Sequence, residues 1–166
     1  MSDTALRPRP TPSRSVPALL GFGAAVAVVA VVGGLASASA AEQYGALEQP
    51  SWAPPPWLFG PVWTVLYATV AVAGWLVWRR SGWAGARTAF AVYGAQLVLN
   101  MLWSPLFFGA GLYWIAFAEI VLLWISVVAT IVLFRRHSRP AAALLVPYLA
   151  WVTFAAALNG SIAVLN

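Results

Sequence analysis

Cysteine and lysine do not occur in this sequence, histidine occurs once, and only four of the 166 residues are acidic. Each absence closes a class of function. Without cysteine there is no disulfide framework, no thiolate metal site and no thiol redox chemistry. One histidine and a few scattered acids give neither a metal-ligating cluster nor a Ser/His/Asp constellation, and no glycine-rich phosphate loop is present. Hydrolytic and phosphoryl-transfer chemistry therefore lack their usual residues, and no metal site is expected. Charge of any kind is scarce, at 8% of residues against about a quarter in soluble domains.

Apolar residues take its place, at 62% of the chain with a mean hydropathy of +0.83. A chain of this composition cannot cover itself with a water-compatible surface, so its solvent is lipid. Five long uncharged runs lie at about 16–41, 61–78, 88–108, 112–134 and 141–165. Each is near or above the ~18–20 residues that span a hydrocarbon core as helix. Membrane strands would alternate in polarity, and a run such as "AAVAVVAVV" does not. The prediction is an all-α integral membrane protein, a five-transmembrane-helix bundle over 16–166 preceded by a disordered, Arg-containing arm over 1–15.

The net charge of +5 and the pI of about 10.5 do not point to nucleic acid. Arg7, Arg9 and Arg14 precede the first run. Arg79, Arg80 and Arg87 join the second to the third, and Arg135, Arg136 and Arg139 join the fourth to the fifth. The other connections carry no basic residue. By the positive-inside rule the N-terminus is cytoplasmic, while the 42–60 loop and the C-terminus are outside. The first run also has the look of a signal peptide, with "ASASAA" as a cleavage site, but its length exceeds the ~7–15 residues of an h-region. It reads as a retained helix whose Gly and Ala suit close packing.

The stretch "EQPSWAPPPWLFGPVWTVLY", residues 48–67, holds Pro50, Pro54, Pro55, Pro56 and Pro61. These prolines forbid a continuous helix before residue 61 and keep the loop extended or turned. Trp52, Trp57 and Phe59 sit on it. An interfacial aromatic belt explains aromatics at helix ends; a stiff loop of this length is better explained as a lid over a cavity. Of the ten tryptophans, Trp75, Trp78 and Trp83 fall at the inner interface as anchors. Trp63, Trp103 and Trp151 lie deeper, where an indole N–H needs an acceptor.

In "QLVLNMLWSPLFFG", Gln96, Asn100, Trp103 and Phe107 recur at helical spacing and share one face. Two readings stand side by side: the amides as interhelical glue worth ~0.6–2 kcal/mol each, or, for Asn100 and Trp103, a pocket wall. Glu119 is the one acid within a helix, and structural bonding and a ligand or proton role weigh equally for it. In the last run Trp151, Phe154, Ala155, Leu158 and Asn159 mix bulk with small residues, leaving room for a neighbouring helix or a flat ligand.

Together "PSWAPPPWLFGPVWTVLY", "QLVLNMLWSPLFFG" and "PYLAWVTFAAALN" closely resemble the signature blocks of the TspO/MBR family. That family comprises the tryptophan-rich sensory proteins and translocator proteins, including the peripheral-type benzodiazepine receptor. The resemblance covers about residues 44–160. It implies a five-helix homodimer in a bacterial cell membrane. It also implies that porphyrins, such as protoporphyrin IX or haem, and other flat hydrophobic ligands bind beneath the loop between the first two helices. No cofactor is required. By position the resemblance assigns Trp63 and Tyr67, then Asn100, Trp103, Phe107 and Phe108, then Trp151 and Ala155 to the ligand pocket, with Leu158 beside them. Glu119 falls where relatives carry an acid, and Tyr44, Trp52, Pro54 and Pro55 match the lid loop. It makes Gln96 a packing residue and Asn100 a donor to ligand. A C-terminal Tyr and basic residue proposed for sterols in animal relatives are absent here, where Gly160 and "SIAVLN" stand.

The resemblance implies a membrane receptor, sensor or carrier for tetrapyrroles. The alternatives are a light-dependent porphyrin-degrading enzyme with Trp151 as electron donor, and a small proton-coupled transporter using Glu119. His137, in a cytoplasmic connection, is badly placed for axial haem ligation. An Ala91-x-x-x-Ala95 pair on the third helix is suited to a dimer contact.

Overall fold

The computed structural model describes residues 12–37 and 40–166. Most of the Arg-containing arm (1–11) and part of the cleavage-like "ASASAA" stretch (38–39) lie outside the described residues. The chain folds as α1 (Pro12–Ala36), α2 (Ala40–Ala46), α3 (Phe59–Gly85), α4 (Arg87–Ser104), α5 (Tyr113–His137), α6 (Arg139–Leu144) and α7 (Val146–Leu165). Five spans are long and apolar enough to cross a membrane: Ser15–Ala36, Pro56–Gly85, Arg87–Gly109, Tyr113–His137 and Arg139–Leu165. No strand occurs among the described residues. The all-α, five-span architecture is the one the sequence predicts.

The boundaries move for local reasons. The first apolar run is not one helix to residue 41: α1 ends at Ala36, and the separate α2 carries Tyr44. The second span starts before Pro61, with a 3₁₀ turn at Pro56–Leu58 leading into α3. Both Pro56 and Pro61 occupy first-turn positions, where a missing N–H costs little. At its other end α3 passes Arg79 and Arg80 before breaking at Gly82 (φ 62°, ψ 177°), a conformation open essentially to glycine alone. The fifth span is nicked between α6 and α7, because Pro147 cannot donate to the carbonyl four residues back. Ser138 caps α6, its Oγ accepting from Ala141 N at 3.3 Å.

The helices form a ring. α1 packs between α3 and α4, α4 on α5, and α5 on α7, while α6 and α7 close the ring onto α3. Gly74 lets α1 approach α3, for a β-carbon there would stand 2.8 Å from the Phe22 ring. Toward the Arg-bearing end the interior is solid, with Phe22, Val26, Val70, Val77, Tyr93, Val127 and Phe134 buried in one cluster. Phe22 contacts the rings of Trp83, Phe90 and Tyr93 at 5.5–6.0 Å between centroids. Outward, Val28, Val31, Val65, Val98, Leu102, Leu122, Ile125 and Val132 are exposed. In water that belt would be an aggregation surface; in lipid it is the ordinary outside of a membrane protein. Ser and Thr hydroxyls on the spans bond back to their own helices, as Thr130 Oγ1 to Ser126 O at 2.7 Å and Thr69 Oγ1 to Leu66 O at 2.8 Å.

Candidate functional site

A cavity of about 430 Å³ opens in the loop-bearing half of the ring. Its origin is a change of residue size along α1. Phe22, Val26 and Val29 fill the interior at one end, and the same helix then presents Ala30, Gly33 and Gly34, with Ser37 just past its end. Opposite this small-residue wall stand Trp63 and Tyr67 on α3, Asn100 and Trp103 on α4, and Ile120 and Leu123 on α5, with Val152 and Ala155 on α7. The roof is Ala40 and Tyr44 of α2 with Pro56, Phe59 and Gly60. Trp63 and Tyr67 stack at 5.2 Å and 22–30° geometry recurs at Trp103 and Phe107, 5.0 Å apart. The result is a slot with aromatic faces on one side and bare backbone on the other. Its volume falls within the ~300–1,000 Å³ of small-molecule sites.

Beneath the slot runs a chain of hydrogen bonds that engages both amides, although the Gln96 amide nitrogen stays buried without a partner. Tyr67 Oη donates to Asn100 Oδ1 at 2.9 Å, Asn100 Nδ2 donates to Tyr148 Oη at 3.0 Å, and Tyr148 Oη donates to Gln96 Oε1 at 3.0 Å. Gln96, Asn100 and Tyr148 are all buried. The chain ties α3, α4 and α7 together where no water is at hand to hydrate an amide. A second link does the same nearer the roof: Trp103 Nε1 donates to Asn159 Oδ1 at 3.1 Å, and Asn159 Nδ2 to Tyr113 O at 3.0 Å. Asn100 is thus both glue and wall. One hydrogen of its amide nitrogen goes to Tyr148 while the residue lines the cavity, which leaves its second hydrogen as a donor.

Seven of the sequence-predicted residues come together on the cavity: Tyr44, Trp63, Tyr67, Asn100, Trp103, Phe108 and Ala155. The others stand one layer back. Phe107 is buried behind Trp103, and Leu158 belongs with it to a second apolar cluster under the loop. Trp151 has its ring 5.9 Å from that of Phe59 and 5.3 Å from that of Phe154, one ring removed from the cavity, and its indole N–H is buried without a partner. Glu119 is buried with neither carboxyl oxygen hydrogen-bonded, although the next residue, Ile120, lines the cavity. Trp52 is exposed and edges onto Phe154 at 5.8 Å, and Pro54 and Pro55 lie outside the lining that Pro56 joins.

The loop is fastened by amides. Glu48 N donates to Asn166 Oδ1 and Asn166 Nδ2 to Glu48 O, each at 3.1 Å, while Gln49 Nε2 donates to Tyr44 O. Sequence reasoning missed the α1 wall, Ser104, Ile120, Leu123 and Val152, as well as Tyr148. For Tyr148 the signal was present, a phenol at membrane depth that needs an acceptor. For the α1 wall the signal was ambiguous, since glycine and alanine serve helix packing equally well.

Fold and cavity define a class: a multi-pass integral membrane protein enclosing a small-molecule-sized slot under a loop-borne roof. Residues 22–165 match the TspO/MBR family, and the chain belongs to that family. It is 43% identical over 123 residues to the tryptophan-rich protein TspO of Archaeoglobus fulgidus, across 74% of this chain and 79% of that protein. Identity to the translocator protein of Homo sapiens is 40% over 118 residues, 70% of each chain. The tryptophan-rich sensory protein of Cereibacter sphaeroides is 40% identical over 118 residues, 71% of this chain and 73% of that one.

The hydrogen-bond chain sets an order of stabilities. Tyr148→Phe strands buried groups on both Asn100 and Gln96 and is expected to cost about 1–3 kcal/mol. Tyr67→Phe removes one bond at the cavity edge and costs about 0.6–1 kcal/mol. Denaturant titration of the two purified variants checks this; Tyr67→Phe proving the more damaging would remove Tyr148 from its central place.

Proposed function

We propose that this chain is a membrane receptor, sensor or carrier that holds a flat, largely apolar tetrapyrrole in the α1–α3–α4–α7 slot. Protoporphyrin IX and haem are the ligands that fit the reading. The observation that carries it is the pairing of aromatic faces, Trp63, Tyr67 and Trp103, with a wall at Gly33 and Gly34 that has no side chains. A planar ring stacks on the first and lies close against the second. The names of relatives, sensory protein and translocator protein, support the same role. His137 is bonded to Ser81 at the Arg-bearing end, so binding rests on stacking and on donors such as Asn100 rather than on an axial ligand. Neither the degradation reading nor the transport reading gains an observation of similar weight, since Trp151 and Glu119 both stand off the cavity.

Occupancy of the slot is testable at Gly33. A β-carbon there would stand 3.6 Å from Ser104 Oγ and 3.9 Å from Tyr67 Oη, which is ordinary contact. Gly33→Ala is therefore expected to keep protoporphyrin affinity and, by helix propensity, to stabilise α1 by up to ~1 kcal/mol. Gly33→Leu fills the slot and weakens affinity at least about tenfold, ~1.4 kcal/mol. Trp151→Phe keeps affinity within about a factor of two, ~0.4 kcal/mol. Tryptophan-fluorescence quenching across protoporphyrin, haem, bilins and sterols gives the comparison. Wild-type affinity in Gly33→Leu would place the ligand elsewhere.

The same reading puts the roof and Asn166 outside the cell membrane and the Arg-bearing end in the cytoplasm. No native cysteine interferes, so an impermeant thiol reagent on intact cells is expected to label Ser51→Cys and to spare Arg80→Cys. Both positions are exposed. The opposite pattern inverts the topology.

Self-association belongs to this proposal too. Ala91 and Ala95 are exposed on α4, on the lipid-facing side with Val98 and Leu102. Two small residues four apart let a second copy's helix approach closely. Ala91→Leu combined with Ala95→Leu is expected to give monomers by native mass spectrometry; intact dimers in that variant would put the interface on another face.

A further inference from the structure

At the end of the molecule away from the slot lies a second cavity, of about 600 Å³, lined by Arg79, Arg80, Ser81, Arg136 and His137. It sits between α3, just before its break at Gly82, and the last turn of α5. Ser81 Oγ and His137 Nδ1 are 2.9 Å apart and join the two helices. Arg79 holds its guanidinium carbon 4.7 Å from the centroid of the Trp75 ring. The Trp75 indole N–H in turn donates to Ser15 O at 2.9 Å, which fixes the ring against α1.

The charge here does not balance. Three exposed arginines line the cavity, and the described acids are Glu42, Glu48 and Glu119. Glu42 and Glu48 belong to the connection at the opposite end, and Glu119 stands about 27 Å from His137 along α5 at 1.5 Å per residue. The two helix ends that face the site contribute about −0.5 each. An excess of roughly two positive charges remains in a concave site, where the field is focused rather than dispersed.

We propose that this cavity binds a phosphate group, carried by an anionic lipid headgroup or free in solution. A planar guanidinium presents paired N–H donors that match phosphate oxygens two at a time. The group supplies the missing negative charge. When His137 Nδ1 accepts from the Ser81 hydroxyl, the ring's Nε2 carries a hydrogen and is a further donor. Trp75 and the exposed Trp83 set the site at the depth where indoles meet headgroups, whereas Trp78, expected as a third anchor, is buried in the core.

The test uses the full-length protein in nanodiscs. In one arm they are phosphatidylcholine alone, titrated with inorganic phosphate against chloride at constant ionic strength. In the other, about a fifth of the lipid is phosphatidylglycerol, enough to give a strongly negative surface. The readouts are the melting temperature and the number of anionic lipids retained per chain by native mass spectrometry. Arg80→Gln with Arg136→Gln removes two charges from the cavity. Arg87→Gln with Arg139→Gln removes two exposed charges outside it and is the control. The expected result is a rise in melting temperature in one arm for wild type and control, lost in the cavity variant, with retention or affinity falling at least about tenfold. Stabilisation by phosphatidylglycerol alone assigns the group to lipid, and stabilisation by inorganic phosphate assigns it to a soluble anion. No stabilisation in either arm overturns the site. Equal losses in the cavity variant and the control would also overturn it, because they would report diffuse surface charge.

Discussion

A polar group inside a membrane span must find its partner within the protein, because no water is present to hydrate it. The Tyr67–Asn100–Tyr148–Gln96 chain answers that demand across three helices for every polar atom it holds except the Gln96 amide nitrogen, and much of the bundle's geometry follows from it. Each bond is individually modest, ~0.6–2 kcal/mol in lipid. What the chain provides is register: α3, α4 and α7 meet at one height and one rotation, because any slip leaves a buried amide or phenol unpaired. With three helices fixed in this way, α1 is free to carry small residues without the ring collapsing onto them. The slot exists because the network holds its far wall in place.

The molecule is accordingly divided along its length. The Arg-bearing half has a continuous apolar core in which Phe22, Tyr93 and Phe134 interlock, and it is the part that gives the fold its stability. The loop half has a smaller cluster around Tyr44, Phe107, Leu158 and Ile162, with an open space beside it. Removing side chains from one helix face sacrifices packing there, and the solid half offsets that loss. Division of this kind is ordinary where a protein must be both stable and receptive, since binding segments are drawn from the less stable part.

How far the sequence shows this depends on which signal is local. Five spans are legible because length and apolarity suffice. Asn100 and Trp103 are legible because their spacing puts them on one inward face, and the family resemblance assigns them, with Trp63 and Ala155, to a pocket. Phe107 is buried and stacked on Trp103, as the shared inward face predicts, but it stands behind that ring and off the cavity. Pro105–Gly109 forms a π turn, with Ala110 N bonded to Pro105 O at 2.9 Å. Phe108, on this wider turn, lines the cavity instead, which regular helical spacing does not anticipate. On α5 the difficulty is different: a helix apolar on every side gives no single-helix cue to whether Glu119 or Ile120 faces a slot. The small-residue wall of α1 is illegible for a third reason, because a missing side chain says that something comes close and not what it is.

The roof shows what kind of opening the slot has. Its attachments are two hydrogen bonds between the Asn166 side-chain amide and the Glu48 backbone, one from the Gln49 amide to the Tyr44 carbonyl, and ring edges such as Trp52 on Phe154 and Tyr44 on Phe59. All of these lie at the water-facing end, where a broken hydrogen bond is taken over by solvent at small net cost. The floor, by contrast, is the buried network, where the same break strands a group in lipid. Opening the roof is therefore cheaper than opening the floor. Pro54, Pro55 and Pro56 restrict the backbone of the connection, which makes it a stiff loop. Stiff loop and buried floor are thus complementary: bonds of the first can be replaced by solvent at small cost, and those of the second cannot.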